Sequence, residues 1–224
     1  MHKNVHNLIQ IEKEIQSNII NFDPSIKLPK IIAVSKTHSM TSILPLVNYG
    51  HLDFGENKVQ EAIDKWQDIK QQFDNLNLHM IGKLQTNKVK QAVSLFDFIH
   101  SVDNFKLAEK IANEQIKQKK QIKLFIQVNI GEETQKNGIE ISNLENFSSR
   151  CIDDLNLNVV GLMCLPPIGQ DVAPFFLKMQ DIHKKLGLNE LSMGMSNDYL
   201  KAIKFNSSYL RIGSKIFGQR NVIS

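Results

Sequence analysis

The chain is poor in cysteine, has no long apolar run and carries no strong excess of either charge, and each shortage removes a class of function. Its two cysteines, Cys151 and Cys164, fall in a predicted helix and a predicted strand, without the close pairing or histidine spacing of a metal site. They read as reduced core residues. No run of about 18 apolar residues occurs, which argues against a membrane-spanning helix. Met1-His2-Lys3-Asn4 leads into a polar amphipathic segment rather than a signal-type apolar stretch, so the expectation is a cytoplasmic protein. The net charge of +4 reflects 27 basic and 23 acidic residues, with the lysines scattered. The densest group, Lys117, Lys119, Lys120 and Lys123, lies at a helix-to-strand junction without interleaved aromatics and reads as solvated. Neither a nucleic-acid nor a membrane partner is expected; mild affinity for small anions is the most the charge implies.

What is present is an ordinary globular composition, 42% apolar and 22% charged over 224 residues, which predicts one domain across 1–224. An N-terminal helix (about 1–22) carries Val5, Leu8, Ile9, Ile15 and Ile19 roughly on one face. Thereafter short apolar runs alternate with helical-period stretches. The runs are Ile31–Val34, Leu52–Phe54, Leu78–Ile81, Phe98–Ser101, Ile122–Ile130, Val159–Leu165, Leu191–Met193 and Tyr209–Ile212. Between them, sets such as Val59, Ala62, Ile63, Trp66, Ile69 and Phe73 repeat at 3.6 residues. Gly50 and Gly187 supply stop signals, and Pro174 suits a first helical turn. Eight strand–helix units predict an α/β fold, a (β/α)₈ barrel of the TIM type. An open doubly wound sheet is the alternative.

In such a barrel the chemistry sits just beyond the C-terminal ends of the strands. Lys36 follows the first run; partial desolvation there would lower its pKa and free the amine for attack on a carbonyl, although a solvated lysine is the plain alternative. Ser196 and the Gly213-Ser214 pair occupy the loops after strands 7 and 8, where barrels of this kind often hold a phosphate. Arg211, at the end of strand 8, could hold a ring nitrogen or a phosphate and also depress the pKa of Lys36; otherwise it is a surface ion-pair residue. Glu56 and Asn57 either orient a ligand or cap the next helix. His79 reads as a buried hydrogen-bonding residue within strand 3. Lys136 and Gly138 read as a loop over the pocket or a simple turn, and Gly161-Leu162-Met163-Cys164 as a pocket wall or core. An amine, an arginine and a phosphate cradle together suggest an aldehyde cofactor with a phosphate tail.

Several strings match one family. They are Ala33-Val34-Ser35-Lys36, Phe54-Gly55-Glu56-Asn57, Val59-Gln60-Glu61, His79-Met80-Ile81-Gly82 and Leu84-Gln85-Thr86-Asn87-Lys88, followed by Gly161-Leu162-Met163, Gly194-Met195-Ser196 with Asp198, and Arg211-Ile212-Gly213-Ser214 with Phe217-Gly218. With these, the chain resembles the pyridoxal phosphate homeostasis proteins, whose barrel is of the alanine racemase N-terminal (fold-type III) kind. The resemblance implies that Lys36 carries pyridoxal 5′-phosphate (PLP) as a Schiff base, that Ser196, Gly213 and Ser214 hold its phosphate, that Asn57 contributes to the site, and that Arg211 faces the pyridine nitrogen. Lys58 and Trp66 depart from the family's pattern, a difference expected to touch surface contacts alone.

The function this implies is non-catalytic: binding and buffering PLP within the cell, with delivery to PLP-dependent apoenzymes as a further role. An amino-acid racemase is the alternative, but racemisation needs a second acid or base opposite Lys36. Tyr49, Tyr199 and Tyr209, the chain's only tyrosines, each read more simply as packing residues. A Schiff-base aldolase acting on a sugar phosphate would use the same lysine without PLP and would be colourless. A monomer is expected.

Overall fold

The computed structural model describes residues 1–219. Eight strands form one closed parallel barrel in sequence order: β1 (Lys30–Val34), β2 (Asp53–Glu56), β3 (Asn77–Met80), β4 (Phe98–Val102), β5 (Lys123–Val128), β6 (Val159–Cys164), β7 (Glu190–Met195) and β8 (Tyr209–Ile212). Pairing of Ile31 with Leu210 and of Ala33 with Phe54 closes the ring through β1, which rules out the open doubly wound sheet. The helices are α1 (Lys3–Phe22), α2 (Met40–Tyr49), α3 (Val59–Gln72), α4 (Val89–Leu95), α5 (Phe105–Gln118), α6 (Leu144–Ser149), α7 (Ala173–Leu186), α8 (Tyr199–Ile203) and α9 (Ser214–Phe217).

Period-two alternation sends side chains of each strand to two different cores. The outer core lies between barrel and helices and includes Phe54, Leu78, Ile99, Leu124 and Leu210. The inner one is small: Ile32, Phe98, Phe125, Met163 and Tyr209 fill the barrel itself. Helix ends follow the sequence signals, for Gly50 and Gly187 take left-handed conformations (φ 96° and 64°) that terminate α2 and α7. Pro174 sits in the first turn of α7, where its missing N–H costs nothing. Cys151 and Cys164 are buried and unpaired, and burial pushes their thiols up to about 11 and about 12.

Two strand boundaries beside the barrel mouth differ from the sequence expectation. β2 runs from Asp53 to Glu56 rather than from Leu52; Leu52 is exposed, whereas Gly55 and Glu56, which look like turn residues, are buried in the sheet. A Cβ at Gly55 would stand 2.8 Å from Ile32 Cγ2, so only glycine passes the inner core at that point. β7 continues to Met195 through Gly194 (φ 92°), at a register shift against β8 that a glycine accommodates. β1 ends at Val34, where the first apolar run ends, and Lys36 lies in the turn beyond it as expected.

α1 packs on α2, α8 and α9, through Leu8, Ile11, Ile15 and Ile19 on its buried face. Its polar side chains tie those helices together. Asn4 Nδ2 donates to Ser42 O in α2, Asn7 Nδ2 donates to Ile216 O in α9, and Glu14 accepts from Tyr199 of α8 and Lys215 of α9. The helices that follow β1, β7 and β8 are thereby held as one group.

Candidate functional site

At the C-terminal mouth of the barrel lies a cavity of about 860 Å³. Lys36, Asn57, Ser196, Arg211, Gly213 and Ser214 all line it, so the structure brings together every residue singled out for the site. Val34, Ile81, Gly82 and Met195 form apolar parts of the wall, and the β6–α7 loop (165–170) forms one rim.

Lys36 is half-buried in a turn that is firmly clamped. Thr37 is left-handed (φ 66°), a costly conformation for a β-branched residue, and its N–H donates to Glu61 Oε1 at 2.5 Å. Lys65 reaches from α3 to donate to Ser35 O (2.9 Å) and His38 O (3.5 Å), the carbonyls on either side of the Lys36–Thr37 pair. Lys65 also pairs with Glu61 (2.9 Å) and with the fully buried Glu56 (2.7 Å). Glu56 Oε1 accepts from Ser35 Oγ (2.7 Å) and Trp66 Nε1 (3.0 Å). Burial works to raise the Glu61 carboxyl, but the Thr37 N–H and Lys65 outweigh it and hold the group below its usual value. Trp66 is therefore a buried partner of Glu56 rather than a surface departure, which corrects the expectation from sequence.

Beside the Lys36 turn, Ser196 Oγ accepts from the N–H groups of Gly213 (3.3 Å) and Lys215 (3.4 Å), joining the loops after β7 and β8. Asp198 Oδ1 accepts from Met195 N (2.5 Å) and fixes the turn that carries Ser196. Gly213 lies against β1: a Cβ there would meet Val34 Cβ at 3.3 Å. Gly82 lies closer still to Asn57, whose carbonyl oxygen would be 2.4 Å from an added Cβ. Asn57 does not cap α3, since Lys58 occupies that position. Its side-chain Oδ1 is instead buried without a hydrogen-bond partner among the described residues while lining the cavity.

Arg211 is buried and has no ion-pair partner among the described residues, so the surface-pair alternative does not hold. Its Nη1 donates to Ser192 O and Ser192 Oγ (both 2.6 Å), and Nη2 to Cys164 O (2.8 Å). Burial lowers its pKa, partly offset by the nearby Cys164 and Asp198.

Other sequence candidates serve the scaffold. His79 is fully buried and hydrogen-bonded inside the barrel. Leu162, Met163 and Cys164 are core, and Gly161 is required because a Cβ would come within 1.9 Å of Glu190 O. Just beyond β5, Asn129 exchanges hydrogen bonds with Glu133 and so clamps the loop that carries Lys136 and Gly138. Gly138 (φ 124°) presses on the Asn129 backbone, whereas Lys136 does line the cavity. Within the lysine cluster, Lys120 donates to Ser94 O and Phe96 O, the carbonyls around the end of α4. Sequence reasoning missed His38, which lines the cavity and stacks on Phe217 at 4.6 Å. It also missed Lys65 and the 165–170 rim; Pro166-Pro167 and Gly169 directly after strand 6 were the available signal for the latter.

The alanine racemase N-terminal domain family matches residues 12–221. The pyridoxal phosphate homeostasis protein of Haemophilus influenzae is 33% identical over 96% of this chain and 95% of its own length. The solved structure of PipY from Synechococcus elongatus with PLP bound is 31% identical, with a TM-score of 0.79 over 91% of this chain and 100% of that one. An alanine racemase of Clostridium difficile shares the fold, at 15% identity and a TM-score of 0.68, over 99% of this chain and 58% of its own. By its barrel, its matched length and its identity to those relatives, the chain belongs to the pyridoxal phosphate homeostasis protein family.

Proposed function

We propose that this chain binds PLP through Lys36 and holds it without catalytic turnover, as an exchangeable reservoir. The observation that carries the reading is the convergence of a clamped, half-buried lysine, a buried arginine and two joined serine–glycine loops on one cavity. The residues fit the group: Asn57 offers a buried oxygen with no other partner among the described residues, and Gly213 keeps the wall open where a side chain would press on Val34. When bound, PLP supplies an electrophilic aldehyde and an electron-withdrawing ring.

Each residue then has a distinct task. Lys36 provides the attacking amine, aimed by the turn that Lys65 and Glu61 hold. Ser196, Ser214 and the Gly213 backbone offer donors to the phosphate. Arg211 would meet the ring as a donor that cannot take up a proton, an environment in which the ring nitrogen would stay largely unprotonated and withdraw electrons poorly. That disfavours carbanion chemistry. Racemisation also needs a group opposite Lys36. Among the described residues no tyrosine lines the cavity: Tyr49 is exposed on α2, Tyr199 bonds Glu14 and Lys215, and Tyr209 lies in the inner core. Met195 and Ile168, both exposed at the rim, leave the cavity open for exchange, and PLP-dependent apoenzymes are the proposed recipients.

The test is a visible absorption band on adding PLP, fixed by borohydride to the peptide containing Lys36 and absent from a folded Lys36→Ala variant. An unchanged spectrum in Lys36→Ala overturns the assignment. Exchange of the α-deuterium of alanine by the loaded protein at about 1 s⁻¹ or faster would overturn the non-catalytic reading in favour of a racemase.

A further inference from the structure

Below the cavity, a continuous chain of polar groups leads from Arg211 into the barrel interior, and its members beyond Arg211 have no part in these roles. From the cavity downward, Arg211 Nη1 lies 2.6 Å from Ser192 Oγ, Ser192 Oγ 3.0 Å from His100 Nδ1, His100 Nε2 2.9 Å from His79 Nδ1, and His79 Nε2 3.0 Å from Asp53 Oδ1. Ser192, His100 and His79 are completely buried, whereas the Asp53 side chain keeps 13% exposure at the N-terminal end of β2. The two imidazoles cannot turn freely. His79 stacks on Phe98 and His100 on Phe125, each at 4.2 Å and within 15° of parallel.

The charges at the two ends dictate the proton on every atom between them. Burial works to raise the Asp53 carboxyl, but the hydrogen bond from His79 and the nearby Lys30 outweigh it, so Asp53 is a carboxylate and can accept only. His79 Nε2 must therefore carry a proton. Burial keeps both imidazoles neutral, so His79 Nδ1 is an acceptor and His100 Nε2 must donate to it. His100 Nδ1 is then an acceptor, which commits the Ser192 hydroxyl proton to it and leaves the Ser192 oxygen to receive Arg211. Donation runs one way, from the guanidinium to the carboxylate.

We propose that His100 and His79 are positioning residues that act through Ser192 on Arg211, fixing the guanidinium against the cavity where the ring of bound PLP would lie. Ser192 Oγ, Ser192 O and Cys164 O together take three of its donors and immobilise the planar group. The proposal rests on the PLP reading for what Arg211 meets, but the chain itself belongs to the apoprotein.

Long-range ¹H–¹⁵N spectra of the apoprotein read the tautomers directly, and both His79 and His100 are expected to carry their proton on Nε2. A proton on Nδ1 of His100 overturns the chain. In PLP titrations, Ser192→Ala and His100→Leu are expected to weaken binding about tenfold, the worth of one hydrogen bond to a charged group. His100→Asn, whose Oδ1 can replace Nδ1 as acceptor from Ser192, is expected to return to within about threefold of wild type. Wild-type affinity in Ser192→Ala, or equal affinity of the His100→Leu and His100→Asn variants, overturns the positioning role. Ser192→Ala removes one hydroxyl and decides the matter if His100→Leu does not fold. Wild-type protein that binds no PLP overturns the ligand reading and Arg211's role toward it, and the tautomer spectra distinguish that failure from a missing chain.

Discussion

Lys65→Met tests whether the Lys36 turn depends on one buried ammonium. In the wild type, Glu56 is completely buried and Lys65 is the cation paired with it at 2.7 Å, itself only 12% exposed. The other Glu56 oxygen, Oε2, is buried without a hydrogen-bond partner among the described residues, so beyond Lys65 only the neutral donors Ser35 Oγ and Trp66 Nε1 stabilise the charge. Removing one partner of a buried pair costs about 3–5 kcal/mol, because the remaining charge keeps its desolvation penalty. With a urea dependence of about 3 kcal/mol per molar for a chain of this size, the unfolding midpoint should fall by about 1–1.7 M.

The double variant Lys65→Met with Glu56→Gln separates the two jobs of the ammonium. Glutamine still accepts from Ser35 Oγ and Trp66 Nε1 but buries no charge, so most of the lost stability should return. The carbonyls of Ser35 and His38 remain without their donor, so the Lys36 turn stays loosened and PLP binding stays weak. Urea unfolding followed by circular dichroism, beside a PLP titration, measures both. A single-variant loss below about 1 kcal/mol, or a double variant no more stable than the single, would refute the reasoning.

Ser196→Ala and Gly213→Val should each weaken PLP binding about ten- to a hundredfold, while pyridoxal, which lacks the phosphate, is scarcely affected; equal losses for both ligands would place the phosphate elsewhere. Gly161→Ala should cost at least about 3 kcal/mol or prevent folding, because its Cβ would force β6 from β7 at Glu190 O, whereas Gly187→Ala meets open space and should cost about 1–2 kcal/mol for its left-handed backbone. Burial holds His51, His79 and His100 below the usual histidine value, so the unfolded chain takes up protons first as the pH falls below about 6.5. Stability present above that pH should therefore drop toward pH 5.5 by up to about 1.4 kcal/mol per histidine, and urea midpoints that stay level over that range would contradict it.

The barrel was legible because its information is local: eight apolar runs and the helical periods between them are visible one window at a time. Lys36, Ser196, Arg211 and Gly213-Ser214 were legible for a related reason, since each follows or ends a run and the architecture sends such positions to one face. What the sequence hid depends on pairs distant in the chain. Glu56 reads as a ligand-orienting or capping residue until Lys65 and Trp66, on the helix that follows, pair with it inside the fold. Gly55 looks like a turn until the Ile32 side chain explains its lack of one. Phe98 and His100 share the inward phase of β4, yet nothing within that strand says that His79 and Ser192 wait on either side of the histidine.

The site residues also share one sector of the ring. Ser196 follows β7, Arg211 ends β8 ahead of Gly213 and Ser214, Lys36 follows β1 and Asn57 follows β2, four strands that are consecutive around the closed barrel. α1 lies outside that sector and bonds to the helices after β1, β7 and β8. The opposite strands, β4 to β6, contribute Phe98, Phe125 and Met163 to the inner core and Cys164 O to Arg211. A ligand joined to Lys36 and anchored at Gly213 would thus bridge β1 and β8, the two strands whose pairing closes the barrel. Binding there adds a link across the closure itself, so stabilisation by the ligand should be felt by the whole sheet rather than by a loop.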